Sequence, residues 1–247
     1  LIDNVPEERK LEILNKILLL TKDKLNGNIV VEILSSTPEE HRLEMINKIL
    51  LLTKDKLNGN IVQGILYSSP EEYRLEIINK IFPLVKDKLD GNMVSIILIY
   101  TPGKHNFEMI NKIFPLVKDK LDDDIVNTFI KYTGGRKTPK EHRLEIINKI
   151  LPPLAKDKLD GDMVSILLSS TPEEYKLEMI NKIFPLVKDK LDDELVNSML
   201  MIPEEYKLEM INKILPLVKD KMNFDMVDTI LRHTPFKERP KVREKIL

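Results

Sequence analysis

Cysteine is absent from the 247 residues. That excludes a disulfide framework, a thiolate metal site and a cysteine nucleophile. It also favours a reducing compartment: the cytoplasm or, for a secreted effector, a host cell. Neither charge is in excess, with 39 Lys+Arg against 40 Asp+Glu and a formal net charge of −1. A dedicated nucleic-acid binder usually carries a marked positive excess. No apolar run approaches the roughly 18 residues of a membrane span. No glycine-rich phosphate loop exists, because Gly134-Gly135-Arg136-Lys137 lacks the spacing of such a motif. No signal peptide is visible, although a start at Leu1 rather than Met leaves room for one upstream.

What is present is a globular composition, 42% hydrophobic and 32% charged, and a repeat. Prolines recur at Pro6, Pro38, Pro70, Pro102, Pro139, Pro172, Pro203 and Pro235, at intervals of 32, 32, 32, 37, 33, 31 and 32 residues. The flanking segments are nearly superimposable, as in PEEYRLEIINKIFPLVKDKLDG from Pro70 and PEEYKLEMINKIFPLVKDKLDD from Pro172. A fixed period of this size marks a stacked array. The expected fold is all-α: one α-solenoid over residues 1–247, with seven two-helix repeats starting at the first seven prolines and a partial repeat from Pro235. Leu1 to Val5 reads as the tail of a preceding repeat. Neither end is an obvious polar cap, so the chain is expected to be a piece of a longer array.

Each repeat reads as a long helix followed by a short one. Thr37-Pro38-Glu39-Glu40 predicts a helix start, with Thr as cap and Pro at the first position. In the third copy Leu75, Ile78, Phe82, Val85 and Leu89 form an amphipathic stripe, widened by Ile77, Ile81 and Leu84. The short helix begins near Asp90, capped by Asp90 or Asn92, and runs from Met93 to Ile99. It is apolar nearly all round and so expected to be buried. A β-strand is the competing reading of that run. Pro83, Pro115, Pro152, Pro153, Pro185 and Pro216 sit inside the long helix, where the first two copies carry Leu19 and Leu51. The helix is therefore expected to continue through the proline with a kink. Asn15, Asn47, Asn79, Asn111, Asn148, Asn181 and Asn212 share one position, which predicts a ladder of hydrogen bonds between copies or to a loop backbone.

Chemistry is mostly excluded. His41, His105 and His142 occupy a position that Tyr73, Tyr175 and Tyr206 fill in other copies; His233 is the fourth histidine. Stacked helices lie about 8–10 Å apart, while metal ligands must converge at about 2 Å from one ion. A surface line of His and Tyr is expected instead. Glu39-Glu40, Glu71-Glu72 and Glu173-Glu174 suit the first turn of a helix, and their repetition argues against one convergent catalytic pair. Lys-Asp-Lys at each long-helix end, as at Lys118-Asp119-Lys120, reads as a solvated C-terminus. No enzyme activity, metal or cofactor is expected, and no small-molecule substrate.

Where the scaffold is fixed, positions that vary are the candidate readers of a ligand. They lie at the end of the short helix and in the loop before each proline: SST, YSS, IYT, IKYTGGRKT, SST, MI and RHT. The fourth copy holds the long insertion, and Lys131, Arg136, Lys137, Lys140 and Arg143 form a basic patch there. A second basic island comprises Arg232, Lys237, Arg239, Lys241, Arg243 and Lys245.

A short helix, a variable loop and a long helix with an internal proline resemble the repeat of transcription activator-like effectors. Leu75-Glu76-Ile77-Ile78-Asn79-Lys80-Ile81-Phe82-Pro83-Leu84-Val85 is similar to that family's Leu-Glu-x-Val-x-x-Leu-Leu-Pro-Val-Leu run, and Val94 and Ile97 keep its Val-x-x-Ile spacing. Tetratricopeptide and ankyrin signatures fit worse, since their Trp, Gly and Leu-His positions are missing. The resemblance implies a loop that reads one DNA base per repeat, at Ser36, Thr37, Ser68, Ser69, Tyr100, Thr101, Ser170, Thr171, His233 and Thr234. The family's Gly-Gly-Lys after that pair is replaced by Pro-Glu-Glu in most copies. Glutamates repel phosphate and release no counterions, so a shared architecture with a different ligand is expected. Two partners therefore stand: a protein held by the variable loops or, alternatively, double-stranded DNA.

Overall fold

The computed structural model describes residues 5–133, 139–154 and 158–246. Every regular element among them is helical. The chain falls into two compact units, Leu1–Lys120 and Leu121–Leu247. Unit 1 holds α1 (Glu7–Thr21), α2 (Gly27–Ser36), α3 (Glu39–Thr53), α4 (Gly59–Tyr67), α5 (Arg74–Val85), α6 (Gly91–Tyr100) and α7 (Asn106–Val117). Unit 2 holds α8 (Asp123–Thr133), α9 (Lys140–Leu154), α10 (Gly161–Ser170), α11 (Lys176–Val187), α12 (Asp193–Met199), α13 (Glu204–Val218), α14 (Phe224–His233) and α15 (Arg239–Ile246). The helices pack against one another by alternation. In unit 1, α2 packs on α4 and α4 on α6; in unit 2, α8, α10, α12 and α14 follow each other in the same way. The short helices also pack on the long helix that comes after them, except α12, which packs on α11 before it. The competing strand reading of the short run is not what forms.

Local chemistry explains where the elements begin. The residue before each short helix is Asn or Asp, in extended backbone where its geometry is given. Its side-chain oxygen accepts from the amide three residues on, as Asp90 does from Met93 and Asn58 from Ile61, at 2.8–3.1 Å in all copies from Asn26 to Asn223. Asp90, not Asn92, is therefore the cap; such a cap contributes about 1 kcal/mol.

The long helix starts differently from expectation. Pro38 itself occupies the cap position at φ −53° and ψ 145°, with no side-chain cap bond. Its carbonyl accepts from the His41 amide at 3.0 Å, a tight first turn. The prolines from Pro6 to Pro235 all make this bond. Thr37 faces the other way: its hydroxyl donates to the Ile33 carbonyl at 2.7 Å and closes the preceding short helix. A hydroxyl that can reach back four residues is used there, so it is lost as a forward cap.

The internal prolines lie within the helices as expected. Pro83 sits in α5, which ends two residues later at Val85, and the Lys86 amide bonds the Phe82 carbonyl. With Leu19 or Leu51 in place of proline, α1 and α3 end at the same offset, at Thr21 and Thr53. The proline removes the N–H that would bond the Asn79 carbonyl, but the helices without it end at the same place, so it is not what stops the helix.

The core of the third copy is Ile77, Ile78, Ile81, Val85 and Leu89 from the long-helix segment, with Met93, Val94, Ile96, Ile97 and Leu98 from the short one, all buried. Leu84 does not join it and is 38% exposed. Its equivalents Leu20, Leu116, Leu186 and Leu217 are exposed too.

The asparagine ladder is a lysine–asparagine ladder. Lys48 donates to the Asn15 side chain at 2.9 Å and Lys80 to Asn47 at 3.1 Å in unit 1. Lys182 donates to Asn148 at 3.0 Å and Lys245 to Asn212 at 2.7 Å in unit 2. Lys48, Lys80 and Lys182 also pair with a glutamate one turn back on their own helices. The second lysine of the Lys-Asp-Lys turn crosses between copies as well: Lys56 to Asp23, Lys88 to the Asp55 carbonyl, and Lys120 and Lys158 to the carbonyls of Leu89 and Leu121. These exposed pairs hold register more than they add stability.

Candidate interaction surface

Within each unit the stacked short helices present one continuous outward face. A helix that buries its fourth, seventh and eighth residues, as α2 buries Val30, Ile33 and Leu34, must turn its second, fifth and ninth residues outward. The second-residue row is carboxamide in unit 1 (Asn28, Asn60, Asn92) and carboxylate in unit 2 (Asp124, Asp162, Glu194, Asp225), all exposed. The ninth-residue row is Ser35, Tyr67 and Ile99 in unit 1, and Lys131, Ser169, Arg232 and, two residues past the end of α12, Met201 in unit 2, again all exposed. Six residue types occupy those seven places.

The structure sorts the candidate reading residues into two sets. Thr37, Ser69, Thr101, Thr171 and Thr234 are buried, and each hydroxyl donates to the carbonyl four residues back, at 2.6–2.8 Å. Their hydrogen bonding is spent on ending the short helix. Ser36, Ser68, Tyr100, Ser170 and His233 lie half-buried. Ser68 Oγ is enclosed without a hydrogen-bond partner. Tyr100 lies under the Arg74 guanidinium at 5.7 Å, and the Ser170 carbonyl accepts from Arg143 at 3.4 Å. His233 stands 3.4 Å from the Asn197 side chain. Burial holds its pKa below the usual histidine range, and the charges of Lys207 and Arg232 push the same way. The outward residue is the one before each pair. Tyr67, Ile99, Ser169 and Arg232 were within the variable triplets, but the paired-residue reading passed over them. Counting the helical face from the capping Asn or Asp finds them.

The basic patch is partly engaged. Lys140 pairs with Glu174 at 2.7 Å, which raises the lysine pKa and lowers the carboxylate's through their hydrogen bond. Lys131 lies 5.4 Å from the Tyr132 ring centre. Arg136 and Lys137 lie outside the described residues. In the second island Arg232 pairs with Asp228, Lys241 with Glu238, and Arg239 bonds the Thr234 carbonyl. Lys237 is exposed beside Phe236, itself 82% exposed.

The first turns of unit 2 are strongly acidic. Burial raises the pKa of Asp123, and the negative charges of Asp160, Asp122, Asp162 and Asp124 add to the rise. Among the described residues no group of His, Asp or Glu is arranged to hold a metal ion. None of the described helices is long and apolar enough to cross a membrane.

No protein-family model matches the chain, and no curated protein matches it. The resemblance to transcription activator-like effectors thus rests on the long-helix and short-helix residues alone.

Proposed function

We propose that the chain is a non-catalytic α-solenoid of seven two-helix repeats that holds a protein partner on the outward faces of its short helices. The observation that carries this is the ninth-residue row: a different side chain in nearly every copy, exposed each time, on a scaffold whose caps, core and ladders repeat. Variation along an exposed row of a repeating scaffold is what recognition of an irregular surface needs. Tyr67, Ile99 and Met201 on that row are 67%, 51% and 49% exposed, and large apolar and aromatic side chains of this kind are enriched at protein interfaces.

Double-stranded DNA, read one base per repeat, is the second reading, and Lys131 and Arg232 on the same row favour it. Against it, the row beside them in unit 2 is entirely carboxylate, which opposes phosphate and releases no counterions. A mobility-shift assay on random duplexes at about 50 mM salt separates the two. The protein reading expects no retarded band, whereas a band that fades as salt rises would transfer the conclusion to DNA. In the same chain, a photo-crosslinking residue at Tyr67 or Ser169 should trap a partner protein, and one at the buried Thr171 should not.

A further inference from the structure

The contact between α2 and α4 sets glycine against glycine, whereas in the close α10–α12 contact Gly161 meets Glu194 and Ser198. In α4, α6 and α12 the sixth residue faces the first residue of the short helix before it. In α6 it is Ile96, whose Cδ1 would lie 3.3 Å from a Cβ on Gly59. In α12 it is Ser198, whose hydroxyl donates to the Gly161 carbonyl at 2.9 Å. In α4 it is Gly64, the one glycine at that place in the seven copies. A Cβ on Gly64 would stand 2.7 Å from the Gly27 carbonyl oxygen, and one on Gly27 would stand 2.5 Å from the Asn60 carbonyl. The two backbones touch, and a cleft of about 500 Å³ opens over them.

Its lining is uncharged and rich in carboxamides: Asn26, Asn28, Asn60 and Gln63, together with Gly27, Gly64, Val31 and Tyr67. No Asp, Glu, Lys or Arg lines it, and Glu32 is the single charged residue in α2, α4 and α6. A phosphate backbone would find no counter-charge there. Carboxamides donate and accept at once, which suits a ligand that is uncharged and also does both.

We propose that this cleft holds the main chain of an extended peptide segment, with the carboxamides pairing to its N–H and C=O groups and Tyr67 covering one of its side chains. The proposal rests on the protein-partner reading and names what part of the partner is held. Asn28, Asn60 and Asn92 present the same group once per copy along α2, α4 and α6, so a linear polymer with regularly spaced amides matches the row. Helices at about 8–10 Å and an extended chain rising about 3.3 Å per residue give about three peptide residues per copy.

The test selects phage-displayed random linear dodecapeptides on the full chain and measures the enriched ones by fluorescence anisotropy. The comparison variants are Asn28→Asp with Asn60→Asp, and Tyr67→Ala. Asp124 and Asp162 stand naturally at the asparagine position in unit 2, so the aspartates leave the fold intact; they remove the N–H donors and add charge. Circular dichroism confirms folding for both variants. Enriched peptides should bind the native chain and lose at least tenfold in affinity on each variant, while Asp162→Asn changes binding less than twofold. Peptides that bind native chain and variants alike would overturn the cleft proposal and leave the protein reading standing. Failure to enrich any peptide would overturn the cleft proposal, while the crosslinking at Tyr67 and Ser169 tests the protein reading separately. Retention of the native chain on a glycan array, lost in Tyr67→Ala, would reassign the cleft to a sugar.

Discussion

The short helices of unit 1 begin Gly-Asn, and those of unit 2 begin Asp-Asp, Gly-Asp, Asp-Glu or Phe-Asp. Both sets take the same Asn or Asp cap and bury the same apolar positions, and all but α12 end on the same inward Ser or Thr. Yet one presents a row of carboxamides over an uncharged cleft, and the other a row of carboxylates. The difference shows which constraints are structural. Stacking dictates the cap, the core and the helix end. It leaves the second and ninth residues free, and there the two units part company.

Several substitutions sharpen or break that comparison. The largest effect belongs to what the units share. Ile78→Ala in α5 and Ile180→Ala in α11 each remove a side chain with no exposed surface. Each should cost about 2–5 kcal/mol in urea unfolding followed by circular dichroism. A much smaller loss in one unit would mean its core is not the one described.

Next comes the place where the units differ inside a contact. Gly64→Ala should cost about 1–3 kcal/mol, because its Cβ meets backbone rather than a movable side chain. Ser198→Ala at the equivalent place should cost about 1 kcal/mol, for the lost bond to Gly161. Equal costs would deny that the α2–α4 contact is the tighter. The caps follow: Asn58→Ala and Asp192→Ala should each cost about 1 kcal/mol, read as a lower urea midpoint with an unchanged slope.

The smallest effect is electrostatic and confined to unit 2. The Asp123 pKa is raised by burial and neighbouring carboxylates, so the folded state holds its proton more tightly than the unfolded chain does. Its charge therefore opposes folding at neutral pH, and the opposition disappears as pH falls and the group protonates. Asp123→Asn should raise the unfolding midpoint at pH 7 and leave it unchanged in acid. A gain that persists in acid would show that charge is not the cause.

Much of this was legible beforehand, and the limits have physical reasons. The period shows in the recurring prolines, and the two helices, the internal proline and a cap at Asp90 or Asn92 are encoded within a few neighbouring residues, where local chemistry decides them. The phase at the short helix's end was not. Thr37 suits a forward cap as well as a backward bond, and only the stacking of α2 with its neighbours places the hydroxyl inside. The pairs taken as readers therefore include inward residues, and Ser35 and Tyr67 emerged as the outward ones. Likewise Asn47 was visible as a repeated polar residue, but its partner Lys80 sits a full repeat away, beyond any local signal. Leu84 continues the apolar stripe and so reads as core, yet its neighbours leave it 38% exposed.

The sharpest measurement exploits the absence of cysteine from the chain. Single cysteines at Ser35 and Ser169, and in separate variants at Thr37 and Thr171, give four thiols whose alkylation rates in native buffer can be compared. Thiols at Ser35 and Ser169 should react about as fast as a free peptide thiol, while those at Thr37 and Thr171 should react only once urea unfolds the protein. Fast labelling at the threonine positions, or protection at the serines, would contradict the outward ninth-residue row.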